Sequence, residues 1–245
     1  MTHDKIEISD MVQHKIVSLV ASHDVLREKT IFKGGTMLRV CMFENYRFSE
    51  DLDFALVDIE KIEFFDIFRQ MVSDGFDDTI FMRMPNHHPS GTQYVEWVKG
   101  DDEGMIVVET APVLPFEISD TVSLPVLDNH PEVTPTTDVV TCASLLSVAT
   151  AKYNCVGNRF KGRDLYDFYY CIAENILPKA WENYLKYWQQ FNRPVPPDKV
   201  INRFRYLESD YRRSWKKDQL AEYIPYTENF DVIYPYLLEY LDSIW

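Results

Sequence analysis

The sequence has 245 residues, enough for one large domain or two small ones, and its 46% hydrophobic and 26% charged content is typical of a folded globular protein. Its apolar runs fall short of the roughly 20 residues of a membrane helix, and no basic and then apolar leader is recognisable, so we expect a cytoplasmic protein that does not contact a membrane. The four cysteines lack CxxC spacing and the six histidines lack HxxH or HExxH spacing, which argues against a disulfide framework and a zinc site.

Charge is distributed unevenly along the chain. The net charge of −14 argues against a generic nucleic-acid binder. Residues 1–130 carry 11 Lys/Arg and 24 Asp/Glu, a net charge of −13, whereas residues 131–245 carry 14 and 15, a net charge of −1. The second half is therefore free to meet a polyanion.

The first half opens with apolar residues at helical spacing, which predict an amphipathic helix capped by Ser9. Changes of periodicity and turn residues then divide the rest of this half. The predicted elements are a strand at 30–32, a turn at Gly34-Gly35, a helix at 36–44, a strand at 51–57, a helix at 62–72, and strands at 79–84, 93–98 and 105–110, the last two forming a hairpin.

The second half reads as one helix after another. A segment without periodicity, HPEVTPTTD at 130–138, is the best linker candidate. The predicted helices cover 138–156, 163–176, 179–191, 197–217 and 231–243. The sequence thus predicts an α+β protein, with an α/β lobe at 1–130 followed by an all-helical lobe at 131–245.

Asp51 and Asp53 are two residues apart on a predicted strand. Their side chains therefore leave the same face, with Cα atoms roughly 7 Å apart, while Leu52 and Phe54 point into a core. Paired carboxylates suit Mg²⁺, which takes oxygen ligands and leaves positions open for substrate phosphates. Alone, this pattern is a weak signal, since acidic strand ends are common.

Gly34 and Gly35 follow a strand and open a helix, which aims backbone N–H groups at whatever lies in front of the turn. Thr36 and Ser49 can add hydroxyl donors. The alternative is a tight turn that merely needs positive φ. Together with the aspartates, however, the turn predicts an anion cradle beside a cation site, the combination that nucleotide chemistry requires.

Glu109 is the best candidate for a third carboxylate, because it interrupts an apolar strand in which an unpaired charge would be expensive. Glu96 and Glu117 are rivals. The alternative is an edge strand with Glu109 in water.

Charged residues also gather in the second half, in the segment from Lys152 to Asp167. Lys152 and Arg159 are seven residues apart, hence on one face if the helix runs through Gly157, and they can neutralise phosphates. The alternative is a solvated helix surface on which Arg163 and Asp167 form an ordinary i,i+4 pair.

These segments resemble a known family. FKGGTML at 32–38 and RFSEDLDF at 47–54 look like the first motif of the AbiEii/AbiGii-type nucleotidyltransferase toxins, within the DNA polymerase β-like nucleotidyltransferase superfamily. Lys152, Arg159 and RDLYD at 163–167 are similar to the family's downstream motif. The resemblance spans about residues 10–175 and implies a nucleotidyltransferase lobe with a mixed β-sheet.

The resemblance also implies the roles of individual residues. Mg²⁺ or Mn²⁺ would be bound by Asp51, Asp53 and Glu109, and the second motif would make Lys152 and Asp164 catalytic. The residues expected to bind the NTP are Lys33, Gly34, Gly35, Thr36, Ser49 and Arg163.

The implied activity is transfer of a nucleoside monophosphate from an NTP to an acceptor, expected to be an RNA such as a tRNA 3′ end. The protein would be the toxin of a toxin–antitoxin or phage-defence pair, with an antitoxin as partner. Basic residues interleaved with Phe204, Tyr206, Tyr211 and Trp215 suit an RNA surface, although aromatics in the core of a solvated helix explain them as well. The alternative function is a non-catalytic module that binds a nucleotide or a partner on a degenerate fold of this type.

Overall fold

The structure is a computed structural model of the chain that describes residues 3–44, 46–76, 81–83, 92–127, 130, 133, 136–221, 223–225 and 227–245, with the backbone alone at 3, 81–83 and 92. The chain forms two compact units. One consists of Met1–Val113 and Thr121–Ala143, and the other of Leu114–Asp120 and Ser144–Trp245. The division into lobes 1–130 and 131–245 stays a prediction, since compact units need not fold independently.

A seven-stranded mixed sheet forms the centre of the first unit, in the order β3-β4-β5-β2-β1-β7-β6. The strands are β1 Thr30–Lys33, β2 Asp51–Leu56, β3 Phe81–Arg83, β4 Thr92–Lys99, β5 Asp102–Pro112, β6 Thr121–Pro125 and β7 Val139–Ala143. The helices of this unit are α1 His3–Ser22, α2 Asp24–Lys29, α3 Gly34–Met37, which continues into a π-helical turn Leu38–Met42, and α4 Lys61–Gly75.

Alternation along the strands gives this sheet a covered face. Phe54 of β2 stacks on Phe32 of β1 at 5.1 Å between ring centroids and packs against Phe64 and Phe68 of α4. Leu52 is fully buried on the same face. Helix α1 packs against β5 and β7. The core thus lies between the sheet and its helices, and residues of opposite parity point away from it.

The second unit is helical and rich in buried aromatic rings, among them Tyr153, Phe168 and Tyr184. Its helices are α5 Pro115–Ser119, α6 Leu145–Asn158, α7 Gly162–Ala173, α8 Leu177–Tyr187, α9 Pro197–Tyr206, α10 Glu208–Leu220 and α11 Phe230–Asp242, with a 3₁₀ turn Trp188–Gln190 after α8. Among the described helices, none is both long and apolar enough to cross a membrane.

The predicted α+β class is confirmed, and several boundaries differ. Residues 139–143 form β7 and not the start of a helix, because this β-branched run pairs with β6 and with β1, where Phe32 faces Cys142. Ser144 then caps α6 by accepting a hydrogen bond from the amide of Ser147. The helix predicted at 197–217 is two helices that meet at Leu207.

Three other predictions concern the ends of the first unit's elements. Ser9 is not an N-cap, because α1 begins at His3 and buries Ser9 inside the helix. Of the strand predicted at 79–84, Phe81–Arg83 is a strand paired with β4, and positions 79, 80 and 84 lie outside the described residues. In the predicted linker, positions 130, 133 and 136–138 have no helix or strand, and its other positions lie outside the described residues.

Candidate active site

The two aspartates and Glu109 meet on one face of the sheet. Strands β2 and β5 run parallel, with Asp53 level with Glu109 and Asp51 level with Val107. Residues that are level on neighbouring strands lie about 4.8 Å apart and point the same way. Because Leu52 and Phe54 point into the core, Asp51, Asp53 and Glu109 all face away from α4. We call these three residues the acidic face.

The exposure of Glu109 corrects one expectation. Asp51 and Asp53 are half-buried and Glu109 is exposed, although Ile106 and Val108 beside it are buried. Since β5 bonds to both β2 and β4, it is an interior strand and not the edge strand of the alternative interpretation. The apolar residues Ile106 and Val108 lie on the face of β5 that the core covers, and Glu109 lies on the opposite face.

The two rival carboxylates are placed differently. Glu96 of β4 is level with Met105 of β5, four residues along that strand from Glu109. Glu117 belongs to the second unit, is buried, and caps α5 by accepting the amide hydrogen of Leu114 at 2.7 Å. Of the three candidates, Glu109 is therefore the one that is level with Asp53.

The glycine turn lies directly against the acidic face. Gly34 has a φ of +82°, and a Cβ built on it would lie 2.2 Å from Oδ2 of Asp53. A Cβ on Gly35 would lie 2.6 Å from Nη2 of Arg47 and 2.9 Å from Oγ of Ser49. Close approach requires glycine at both positions and positive φ requires it at Gly34, so the interpretation as a tight turn is confirmed there, and the anion cradle stays a prediction.

Thr36 ties the turn to the strand that carries the aspartates. Its fully buried hydroxyl donates to the carbonyl oxygen of Asp51 at 2.5 Å. Lys33, the last residue of β1, is level with Asp53 on β2. The sequence-predicted residues Lys33, Gly34, Gly35, Thr36, Ser49, Asp51, Asp53 and Glu109 are therefore gathered in one part of the first unit.

The second motif forms a buried ion cluster inside the second unit. Nζ of Lys152 lies 2.8 Å from Oδ1 of Asp164 and 2.5 Å from Oδ2 of Asp167, and both aspartates are fully buried. Arg159 donates to Asp164 from Nε at 2.8 Å and from Nη2 at 3.0 Å. We call these four residues the ion cluster.

Electrostatics keep Asp164 ionised. Burial raises the pKa of Asp164, but the charges and hydrogen bonds of Lys152 and Arg159 outweigh burial and hold that pKa well below its usual range. The interpretation of this segment as a solvated surface with an ordinary Arg163–Asp167 pair is wrong, because Asp167 is fully buried against Lys152. Arg163 instead lies over the ring of Tyr223, at 5.0 Å from its centroid.

The sequence did not predict a polar network around Asp10, in which His14 and Arg39 are buried and Asp10 and His130 are half-buried. Asp10 of α1 contacts the guanidinium of Arg39, Nδ1 of His14 at 3.2 Å and Nε2 of His130 at 3.1 Å. Arg39 in turn donates from Nη2 to Oε1 of Gln13 at 2.6 Å. The i,i+4 spacing of Asp10 and His14 was the only local signal, because the other partners are distant in sequence.

Two histidines and a carboxylate could hold a metal ion, since their ligand atoms lie within 4.8 Å of one another. However, an incoming cation would share Asp10 with the positively charged Arg39. The contacts already present describe a hydrogen-bond network better than a metal centre.

The aromatic residues considered for RNA stacking are mostly core residues. Phe204, Tyr211 and Trp215 are buried, so the interpretation as a helix with aromatics in the core is confirmed for them, whereas Tyr206 is 73% exposed. Some of the basic residues between these aromatics form ion pairs within the second unit. Arg212 contacts Glu208 at 2.6 Å and Asp231 at 2.5 Å, and Arg205 contacts Asp242 at 2.8 Å.

Comparison with known proteins identifies the family. The family model described as nucleotidyl transferase AbiEii toxin, type IV toxin–antitoxin system, matches residues 17–233. The chain belongs to this family. It is therefore a nucleotidyltransferase toxin, as the sequence motifs predicted, and the family description adds that the toxin–antitoxin system is of type IV. The family implies an NTP substrate and an antitoxin.

A solved structure supports the fold. MenT4, a nucleotidyltransferase toxin from Mycobacterium tuberculosis, is similar with a TM-score of 0.61 and 17% sequence identity, covering 98% of this chain and 93% of that one. At this identity the similarity concerns the fold alone. Among curated proteins, none matches the chain.

Proposed function

We propose that this AbiEii-family protein transfers a nucleoside monophosphate from an NTP to an RNA acceptor, such as a tRNA 3′ end, and that the acidic face holds the divalent cations of the reaction. The observation that carries the proposal is the register of β2 and β5, in which Asp53 is level with Glu109 while Asp51 leaves the same face. The family defines the reaction class, and the acidic face supplies the chemistry that this reaction needs.

The donor set fits Mg²⁺ or Mn²⁺. Three carboxylates offer only oxygen ligands, which hard cations prefer, and partial exposure leaves room for a substrate phosphate and water. When bound, such cations neutralise the charge that develops on the phosphates during in-line displacement. Asp51 and Asp53 would hold them, with Glu109 as the third ligand.

The glycine turn is the proposed phosphate site. Gly34 lies against Asp53 and Gly35 against Ser49, so phosphates bound by the backbone amides of this turn would lie beside the proposed cations. The attacking acceptor hydroxyl forms a bond to the α-phosphorus, the bond to the bridging oxygen of the β-phosphate breaks, and pyrophosphate leaves. The hydroxyl proton passes to water or to a neighbouring carboxylate, and Glu109 is the candidate because its side chain is exposed.

Lys152 and Asp164 are further proposed catalytic residues, on the strength of the family motif. Within their own unit, Asp164 and Asp167 fix the position of the Lys152 ammonium group, and an ammonium group can offset phosphate charge. Arg163 stays a proposed nucleotide-binding residue. A cytoplasmic location and a role in phage defence belong to the same proposal.

Incubation of the purified chain with each labelled NTP, Mg²⁺ and total RNA, followed by location of the label, tests this function. We expect one RNA class to be labelled, and we expect Asp51→Asn and Asp53→Asn each to lower incorporation by at least about 10³-fold while folding is retained. Glu96→Gln, a carboxylate of the same sheet outside the acidic face, is the matched control and should keep its activity. Full activity in either aspartate variant would contradict the mechanism. Binding of NTP without any product would favour the non-catalytic module.

A further inference from the structure

We propose that Gln13 is a positioning residue for the acidic face, acting through a buried chain of polar side chains that fixes the backbone just before Asp51. The expected effect on nucleotidyl transfer rests on the proposed function. The expected effect on the backbone is independent of that function, and it can be measured without an activity assay.

Gln13 uses both ends of its amide, and its orientation is determined by its partners. The side chain is fully buried in α1. Nε2 donates to the carbonyl oxygen of Ser49 at 2.9 Å, and Oε1 accepts from Nη2 of Arg39 at 2.6 Å. A carbonyl can only accept and a guanidinium can only donate, so the flipped amide would break both bonds.

Arg39 anchors the other end of the chain. It lies on the π-helical turn that continues from the glycine turn, is only 5% exposed, and contacts the carboxylate of Asp10, one helical turn before Gln13. The guanidinium also lies over the ring of Phe48, at 5.2 Å from its centroid. Helix α1 and the glycine turn are thereby joined to the same short segment, in which Phe48 and Ser49 are neighbours.

That segment needs external support. Residues 43–50 form no helix or strand at the positions that the structure describes, so no backbone ladder holds them where they enter β2. Instead, Gln13 donates to the carbonyl of Ser49 at 2.9 Å, and Thr36 donates to the carbonyl of Asp51 and, at the longer distance of 3.5 Å, to that of Ser49. These bonds hold the chain where it enters β2, immediately before the ladder with β5 begins at Asp51, and so help to set the direction of Asp51 and Asp53. A catalytic group displaced by about 1 Å can lose about 10²-fold in rate.

Two substitutions separate the bonds of Gln13. Gln13→Glu keeps an acceptor for Arg39 but cannot donate to Ser49, and Gln13→Met has a similar length without either bond. Ser9→Ala is the matched control, since Ser9 lies one turn earlier on α1 and is buried, and its hydroxyl has no hydrogen-bond partner among the described residues. Amide hydrogen exchange at residues 49–53 and the Mg²⁺ dependence of NMP incorporation are measured for all three variants.

We expect exchange at 49–53 to accelerate at least about tenfold in both Gln13 variants relative to Ser9→Ala, while α6 and α7 keep their protection. Incorporation should fall about 10- to 100-fold, with more Mg²⁺ needed for half-maximal activity. Unchanged exchange at 49–53 in a folded Gln13 variant overturns the proposal, as does global unfolding of both variants, because the role claimed is local. If the unsubstituted chain incorporates no nucleotide, the proposed function has failed, and the exchange data still decide the role of Gln13.

Discussion

The chain contains two pairs of aspartates in two very different settings. Asp51 and Asp53 leave one face of a strand, half-buried and beside an exposed Glu109. Asp164 and Asp167 lie on a helix, fully buried, with the Lys152 ammonium against both. The second pair is enclosed together with a cation of the protein, whereas the first pair is only half-buried.

The two settings predict different costs of substitution. Buried carboxylates with fixed partners lose much when one partner is removed, because the remaining charge is left uncompensated. Half-buried carboxylates keep more of their hydration in the folded protein, so we expect a substitution there to cost less.

The largest effect on stability is expected from Lys152→Met. The substitution leaves Asp164 and Asp167 buried with one fewer cation, so the free energy of unfolding should fall by about 3–5 kcal/mol in urea denaturation. Asp53→Asn, measured in the same way, should change it by less than about 1 kcal/mol. Equal losses in the two variants would show that both pairs are structural.

The next largest effect is expected from Gly34→Ala, which adds a methyl group at positive φ and 2.2 Å from Asp53. We expect a loss of about 2–4 kcal/mol in the free energy of unfolding, together with loss of incorporation, because Asp53 must move. Gly100→Ala is the control: φ there is +63° but no atom lies within 4 Å of the added methyl group. Its cost should be about 1 kcal/mol without loss of activity. A similar outcome for both variants would mean that contact with Asp53 does not matter.

A smaller effect on the free energy of unfolding is expected from a change of pH, because the buried His14 is neutral in the folded protein. Burial lowers the pKa of His14 to about 4, against about 6.5 in the unfolded chain. Between these values the unfolded chain binds more protons, so stability is fully present above about pH 6.5 and is lost as the pH falls towards 4. At pH 5 the loss should be about 2 kcal/mol.

Urea denaturation of the unsubstituted chain and of His14→Gln at pH 7 and pH 5 checks this value. The fall between the two pH values should be smaller in His14→Gln, since Asp10, Arg39 and His130 around the ring are kept. An identical fall in both proteins would assign the pH dependence to other groups.

Local rules were enough to predict much of the candidate site. Strand alternation placed Asp51 and Asp53 on one face, and the pair of glycines marked a turn that requires positive φ. The level alignment of Asp53 with Glu109 depends on β5 lying next to β2, which periodicity along the chain does not reveal. The sequence also gave no sign that Glu109 is exposed. Its strand is apolar although only one of the two faces of the strand is covered by the core.

Other features depend on packing between distant segments. The bond from Gln13 to Ser49 joins residues 36 positions apart, and His130 reaches Asp10 across the sequence of most of the first unit. Residues 139–143 form a strand because β6 and β1 offer partners, although their apolar character also fits a helix. Such choices are made by tertiary contacts, so propensity alone gave the wrong element there.

The most direct test of the central claim is a titration with Mn²⁺, followed by electron paramagnetic resonance, in the presence of a non-hydrolysable NTP. If the acidic face holds the cations, Asp53→Asn should weaken Mn²⁺ binding by at least about tenfold, while Glu96→Gln binds as the unsubstituted chain does. Undiminished Mn²⁺ binding in a folded Asp53→Asn variant would contradict the account.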